Sequence, residues 1–158
     1  MTGEAVWPVA AVTLGTAALV VVFHFEVIAV LNRWAHERKE RTRARGHTRR
    51  HHHRPTLLIV MFVLLATHVA EIGLFGAAFE LLIGVTGAGT IVGHARIGFW
   101  DCVYFSATNY TTVGWGDLLA VGPIRFLAAA ESLLGFMLIT WSAAFTYLVM
   151  ARTWGADE

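Results

Sequence analysis

A single cysteine, Cys102, occurs in the 158 residues, so no disulfide can form within the chain. It reads as a small apolar filler in a short helix. Charge is scarce too, at 15% of residues, while apolar residues make up 56%. With a mean hydropathy of +0.59 this excludes an ordinary soluble domain and points to the membrane. No nucleophile–base pair or metal-ligand spacing stands out, so an enzyme is not expected. No apolar helix carries arginine at every third position, which excludes a voltage sensor of the usual kind.

What charge there is lies in one place. Nine of the twelve Lys and Arg fall between Arg33 and Arg54, in RWAHERKERTRARGHTRRHHHR. Before it, Val9 to Leu31 is apolar over the length needed to cross a hydrocarbon core. With no basic residues ahead of it and no small-residue cleavage site after it, this run is read as a retained transmembrane helix. His24 and Glu26 sit in its second half and are read as mutually satisfied or interfacial groups near the helix end. The basic stretch is at best a solvated extension of that helix, breaking near Gly46. Basic loops stay on the cytoplasmic side, which puts the N-terminus outside, and here they can touch anionic headgroups. Flanking spans make nucleic acid the poorer partner for these arginines. His47 and His51-His52-His53 lack the spacing of a defined metal site.

A second apolar stretch, Leu57 to Ile83, starts just after Pro55, which suits a first helical turn. His68 and Glu71 lie one turn apart on it, deep in the span. Two readings stay open for them: a functional intramembrane charge, or a structural role as a hydrogen bond to a neighbouring helix or a protonated carboxyl. Gly73, Gly76 and Ala77 form a small-residue stripe suited to helix contact. Gly84 to Gly98 holds five glycines and no sustained period, and reads as an external turret with His94 and Arg96 at its mouth. Phe99 to Tyr110 is apolar and aromatic but too short to cross, which fits a re-entrant helix. A last apolar run opens at Pro123 and continues to about Met150. Glu131 within it is expected to hydrogen-bond to the short helix.

Between the short helix and the last run lies Thr111-Thr112-Val113-Gly114-Trp115-Gly116-Asp117. Gly114 and Gly116 relax the backbone limits, so that successive carbonyls can turn toward one axis and stand in for the water around a bare cation. This stretch resembles the selectivity filter of the potassium-channel pore-domain family, with Trp115 where that family usually has tyrosine. The resemblance runs from about Leu57 to Met150. It implies K+ coordination by the Thr112 hydroxyl and the carbonyls of Thr112, Val113, Gly114 and Trp115, with Gly116 at the outer mouth and Asp117 anchoring it to the aromatics of the short helix. In the family's pattern Tyr104, Phe105 and Tyr110 form an aromatic cuff with Trp115. Thr108, Asn109 and Thr111 support the filter, Thr108 and Asn109 tying it to the short helix. Gly135, eighteen residues after Asp117, falls where the family often has an inner-helix hinge. Four copies around an axis are implied.

The expectation is thus an all-α membrane protein with three transmembrane helices, a re-entrant pore helix and a filter loop, assembled as a homotetramer in the cell membrane. Residues 1–32 are an additional N-terminal transmembrane helix and 33–55 a basic cytoplasmic loop. The pore domain takes 56–150, made of an outer helix 57–83, a turret 84–98, a pore helix 99–110, a filter 112–117 and an inner helix 123–150. Residues 151–158 form a cytoplasmic tail too short for a folded regulatory domain. The expected activity is passive, potassium-selective conduction with no cofactor beyond the permeant ion. The alternatives are a weakly selective monovalent cation channel, motivated by Trp115, and a non-conducting membrane anchor acting through its basic loop.

Overall fold

Long apolar runs without internal proline leave the backbone one way to satisfy its polar groups in lipid, and the chain is accordingly mostly helical. The computed structural model describes residues 6–44 and 54–154. Its elements are α1 (Val6–Ala44), α2 (Arg54–Ile83), β1 (Thr90–Val92), α3 (Phe99–Tyr110), β2 (Leu119–Val121) and α4 (Arg125–Trp154). Three helices, over Val6–Arg41, Pro55–Ile83 and Arg125–Arg152, are long and apolar enough to cross a membrane.

The outward faces of these helices are apolar. Leu58, Met61, Phe62 and Leu65 on α2, and Phe126, Leu133, Phe136 and Met137 on α4, are exposed in the single chain. In lipid such faces carry no penalty, so helix association rests on close packing and internal hydrogen bonds. Four of the hydroxyl groups are satisfied within their own helices: Thr67 donates to the Val63 carbonyl, Ser132 to Ala128, Thr140 to Phe136 and Thr146 to Ser142.

α1 has 39 residues. At 1.5 Å each it is roughly 58 Å long, nearly twice a hydrocarbon core, so its second half must project beyond it. The basic stretch is therefore helical as far as Ala44, as a solvated extension. Gly46, where a break was expected, lies outside the described residues, as do His47 and His51 to His53. The projecting turns are fastened to the end of α4. Lys39 Nζ donates to the Arg152 carbonyl at 2.9 Å, and Arg152 Nη1 to Asn32 Oδ1 at 3.2 Å. Below this, Ile28 and Leu31 pack with Val60 and Leu64 of α2 and with Phe145 and Val149 of α4, seating α1 against both helices.

The main core lies at the other end, where α2, α3 and α4 meet around Phe75, Phe79, Phe105, Tyr110, Ile124 and Leu127. Two glycines set how closely these helices approach. A Cβ on Gly76 would stand 2.9 Å from Val103 Cα, so α2 and α3 touch backbone to side chain there. A Cβ on Gly135 would stand 2.2 Å from the Tyr110 carbonyl oxygen, so α4 lies directly on the C-terminus of α3. The expected stripe is thus narrower within one chain. Gly73 has nothing near it and Ala77 is exposed, because the contact with α3 comes one turn beyond Gly73.

The turret is not a featureless loop. β1 pairs antiparallel with β2 in the register Thr90↔Val121, Ile91↔Ala120, Val92↔Leu119. Sequence periodicity had no purchase on a strand of three residues whose partner lies beyond the 112–117 loop. Gly93 makes the pairing possible: its φ is +136°, and a Cβ there would meet the Asp117 carbonyl at 2.1 Å. Ile124 N donates to the Ala88 carbonyl at 2.7 Å, closing the turret onto the start of α4.

Candidate functional site

α3 ends where its residues can hydrogen-bond back onto it. Thr111 N donates to the Ala107 carbonyl, Thr112 N to Asn109 at 2.9 Å and Gly114 N to Thr108 at 3.0 Å. The chain then leaves the helix with alternating backbone sign: φ is +58° at Thr112, +54° at Gly114 and +80° at Gly116. Thr112 is the only described residue other than glycine with positive φ, so Val113 and Trp115 are on the other side of the map. Alternating left- and right-handed residues turn successive carbonyls to one side of the chain and N–H groups to the other. A β-branched residue held at positive φ stores strain of about 1–3 kcal/mol, the kind kept where a site needs it.

The whole stretch from Thr111 to Asp117 is exposed in the single chain, with Trp115 at 73% and Val113 at 53%. It is nonetheless held at both ends, by the α3 bonds on one side and the β1–β2 pair on the other. A cleft of about 250 Å³ opens behind it, lined by residues including Phe105, Thr108, Asn109, Gly116 and Leu119.

The supporting residues divide differently from expectation. The side chains of Thr108 and Asn109 both return to the Phe105 carbonyl, at 2.8 and 2.9 Å, and Thr111 Oγ1 to Ala107. Within one chain the tie from α3 to the loop therefore runs through backbone, via the Thr108 carbonyl. The aromatic cuff is also redistributed. Phe105 stacks edge-on against Phe79 with centroids 5.0 Å apart, and Tyr110 faces His68 and Phe75, so both turn toward α2. Helical spacing sends them there, about 100° or more around from Tyr104. Of the three, Tyr104 has its side-chain partner in the loop segment, at Asp117. The Asp117 carboxylate beside it raises its phenol above the ordinary value, and Asp117 Oδ1 also accepts the Leu118 N–H at 3.1 Å.

The N-terminus of α3 is capped by Asp101, whose Oδ2 accepts the Gly98 N–H at 2.9 Å while Oδ1 lies 2.9 Å from His94 Nδ1. The Gly98 bond first, then His94, hold this carboxyl below its ordinary value. α3 runs with its C-terminus at the loop, so the negative pole of its dipole lies there, and the Asp101 carboxylate sits at the positive end.

Behind the loop, polar groups from four helices converge in the core. Glu71 on α2 and His24 on α1 are fully buried, with His24 Nδ1 2.8 Å from Glu71 Oε1. The second carboxylate oxygen accepts the Tyr110 hydroxyl of α3 and lies 3.2 Å from His68 Nδ1. His68 Nδ1 is also 2.8 Å from the Tyr110 hydroxyl. Both imidazole Nε2 atoms meet one hydroxyl of α4, Ser142 Oγ, at 3.1 Å from His68 and 3.3 Å from His24. His24 is therefore not satisfied by Glu26, which is exposed; the two lie on different faces of α1, about 200° apart. His68 and Glu71 do pair, as their spacing suggested. Ser142 gave no signal of this partnership in sequence, being one small polar residue in an apolar helix, and Tyr110 was expected to face Trp115 instead.

A second buried carboxyl, Glu131, hydrogen-bonds to Ser106 of α3 at 2.5 Å, as expected for a group facing the short helix. Ser106 Oγ also lies 2.8 Å from the Ile72 carbonyl. One hydroxyl proton cannot serve two acceptors, so the pair closes only if the carboxyl donates to Ser106.

A family model described as ion channel matches residues 68–152, more than half of the chain. No curated protein and no solved structure matches it.

Proposed function

Because the chain belongs to the ion channel family, we propose that four copies surround one axis and conduct K+ passively through the loop that follows α3. The observation that carries this reading is the alternating φ at Thr112, Gly114 and Gly116 in a segment exposed in one chain yet anchored at both ends. In a four-fold ring the Thr112 hydroxyl and the carbonyls of Thr112, Val113, Gly114 and Trp115 would replace the hydration shell of K+. Gly116 forms the outer mouth, and Asp117 holds it through Tyr104. α3 is the re-entrant pore helix, its negative dipole end favouring a cation. α2 is the outer helix and α4 the inner one, with Gly135 at the point where α4 rests on α3. The basic part of α1 lies on the cytoplasmic side of the cell membrane, next to anionic headgroups, and the N-terminus outside.

Flux through purified protein in liposomes carrying a potassium gradient tests this. The expected result is barium-blocked flux that falls when sodium replaces potassium. Equal permeability to the two ions would replace the selective reading with a weakly selective cation channel, which the 73% exposure of Trp115 favours, since its ring has little packing within its own chain. Absence of flux from verified tetramers in which Gly114→Ala changes nothing, while deletion of 38–54 abolishes function in cells, would leave the non-conducting anchor.

A further inference from the structure

The polar atoms of the buried cluster converge so that one cation can satisfy them together. Ser142 Oγ faces the Nε2 atoms of both His24 and His68. A hydroxyl has two lone pairs, and when Ser142 accepts from both rings each is the Nε2–H tautomer. Each Nδ1 is then a lone pair, and both point at the Glu71 carboxylate, at 2.8 and 3.2 Å. Two nitrogens and two carboxylate oxygens facing one another in a membrane interior repel unless positive charge lies among them.

We propose that His24, His68 and Glu71 bind a divalent transition-metal ion of the Zn2+ class, with the Tyr110 hydroxyl as the fourth donor. One donor atom from each of the three residues already lies within 4.8 Å of the others. Bonds of roughly 2.0–2.2 Å to nitrogen and oxygen need modest ring rotations: the His24–Glu71 pair opens slightly and the widest pair closes. Two imidazoles with one carboxylate suit zinc, copper, iron or nickel, whereas magnesium and calcium take oxygen donors. Ser142 occupies the outer position that usually accepts the second ring N–H of a metal-bound histidine. Access is from the His68 side, whose side chain is 16% exposed while those of His24 and Glu71 are at 0%.

The site joins parts that the fold otherwise leaves separate. α1, which lies outside residues 68–152, supplies one ligand, α2 two and α3 the tyrosine. Tyr110 immediately precedes Thr111 and the loop, and its carbonyl is the atom on which Gly135 of α4 rests. A bound ion therefore fastens the additional helix to the base of the filter loop.

The test uses the full chain in detergent, with His47, His51, His52 and His53 replaced by alanine to remove the other imidazole cluster. After chelation, Co2+ is titrated and its visible absorption followed. One Co2+ per chain with the intense bands of tetrahedral coordination, displaced by Zn2+, is expected. His24→Gln and His68→Gln should each weaken binding more than tenfold, and Ser142→Ala by about 10–100-fold as an outer-shell partner. Glu26→Gln, exposed on the same helix, should change nothing. No tetrahedral bands in the folded parent protein, or bands indifferent to both histidine substitutions, would overturn the proposal and mean that protons alone close the ring. Since the readout is absorption and not flux, it stands or falls apart from conduction.

Discussion

Gly135→Ala separates two roles for this glycine by the sign of its effect. As a hinge in an otherwise regular helix, glycine is a weak point, and alanine there should stabilise α4 by about 1 kcal/mol through helix propensity. The packing says otherwise. The new methyl would stand 2.2 Å from the Tyr110 oxygen and 2.9 Å from its carbonyl carbon and Cα, all backbone atoms of a helix end. No flexible side chain can yield there, so α4 must back away from α3 by about 1 Å, in an interior packed as densely as a crystal. Overpacking of this kind costs about 1–3 kcal/mol, which outweighs the propensity gain. The expected outcome is a lower thermal midpoint for the purified protein in detergent, together with reduced potassium flux, because the displaced carbonyl belongs to the residue that leads into the loop. A midpoint equal to or above that of the parent would refute the close-approach account and restore the hinge as the reason for glycine.

Further outcomes follow from other contacts. Thr112→Gly removes a β-branched residue from φ +58° and should stabilise the folded chain by about 1 kcal/mol in a denaturant titration, while potassium preference in liposome flux falls with the lost hydroxyl. Ser106→Ala strands the Glu131 carboxyl and removes the side-chain bond to the Ile72 carbonyl, and should cost about 1–3 kcal/mol; Glu131→Gln, whose amide can donate to Ser106, should cost less, and the reverse order would refute the bonding scheme. The depressed Asp101 carboxyl contributes stability to the start of α3 that is fully present above its ordinary value of 3.8 and is lost as pH falls through the lower folded value. Protection of the Gly98 amide against hydrogen exchange, taken relative to its intrinsic rate at each pH, should fall in that acid window, and Asp101→Asn should remove that change in protection; an unchanged protection profile in the variant would exclude this cap.

Spacing and composition alone determined a good deal. Apolar length marks helices without reference to neighbours, so three candidate spans and one short helix were legible, as was a filter-like string, because glycine on both sides of one aromatic has a local backbone meaning. The i, i+3 spacing likewise paired His68 with Glu71. What only the tertiary structure decided involves groups far apart in the chain. His24 meets Glu71 across 47 positions and Ser142 across 118, contacts that no helical period encodes. Phe105 and Tyr110 look toward α2 and not toward Trp115 because α3 is packed against that helix, and sequence gives a helix its faces without saying which neighbour each face will find. The turret pairs with residues beyond the loop because Gly93 lets two backbones approach, an effect that needs both backbones in place. Local chemistry is written residue by residue; burial, partnership and close approach exist only once the helices have met.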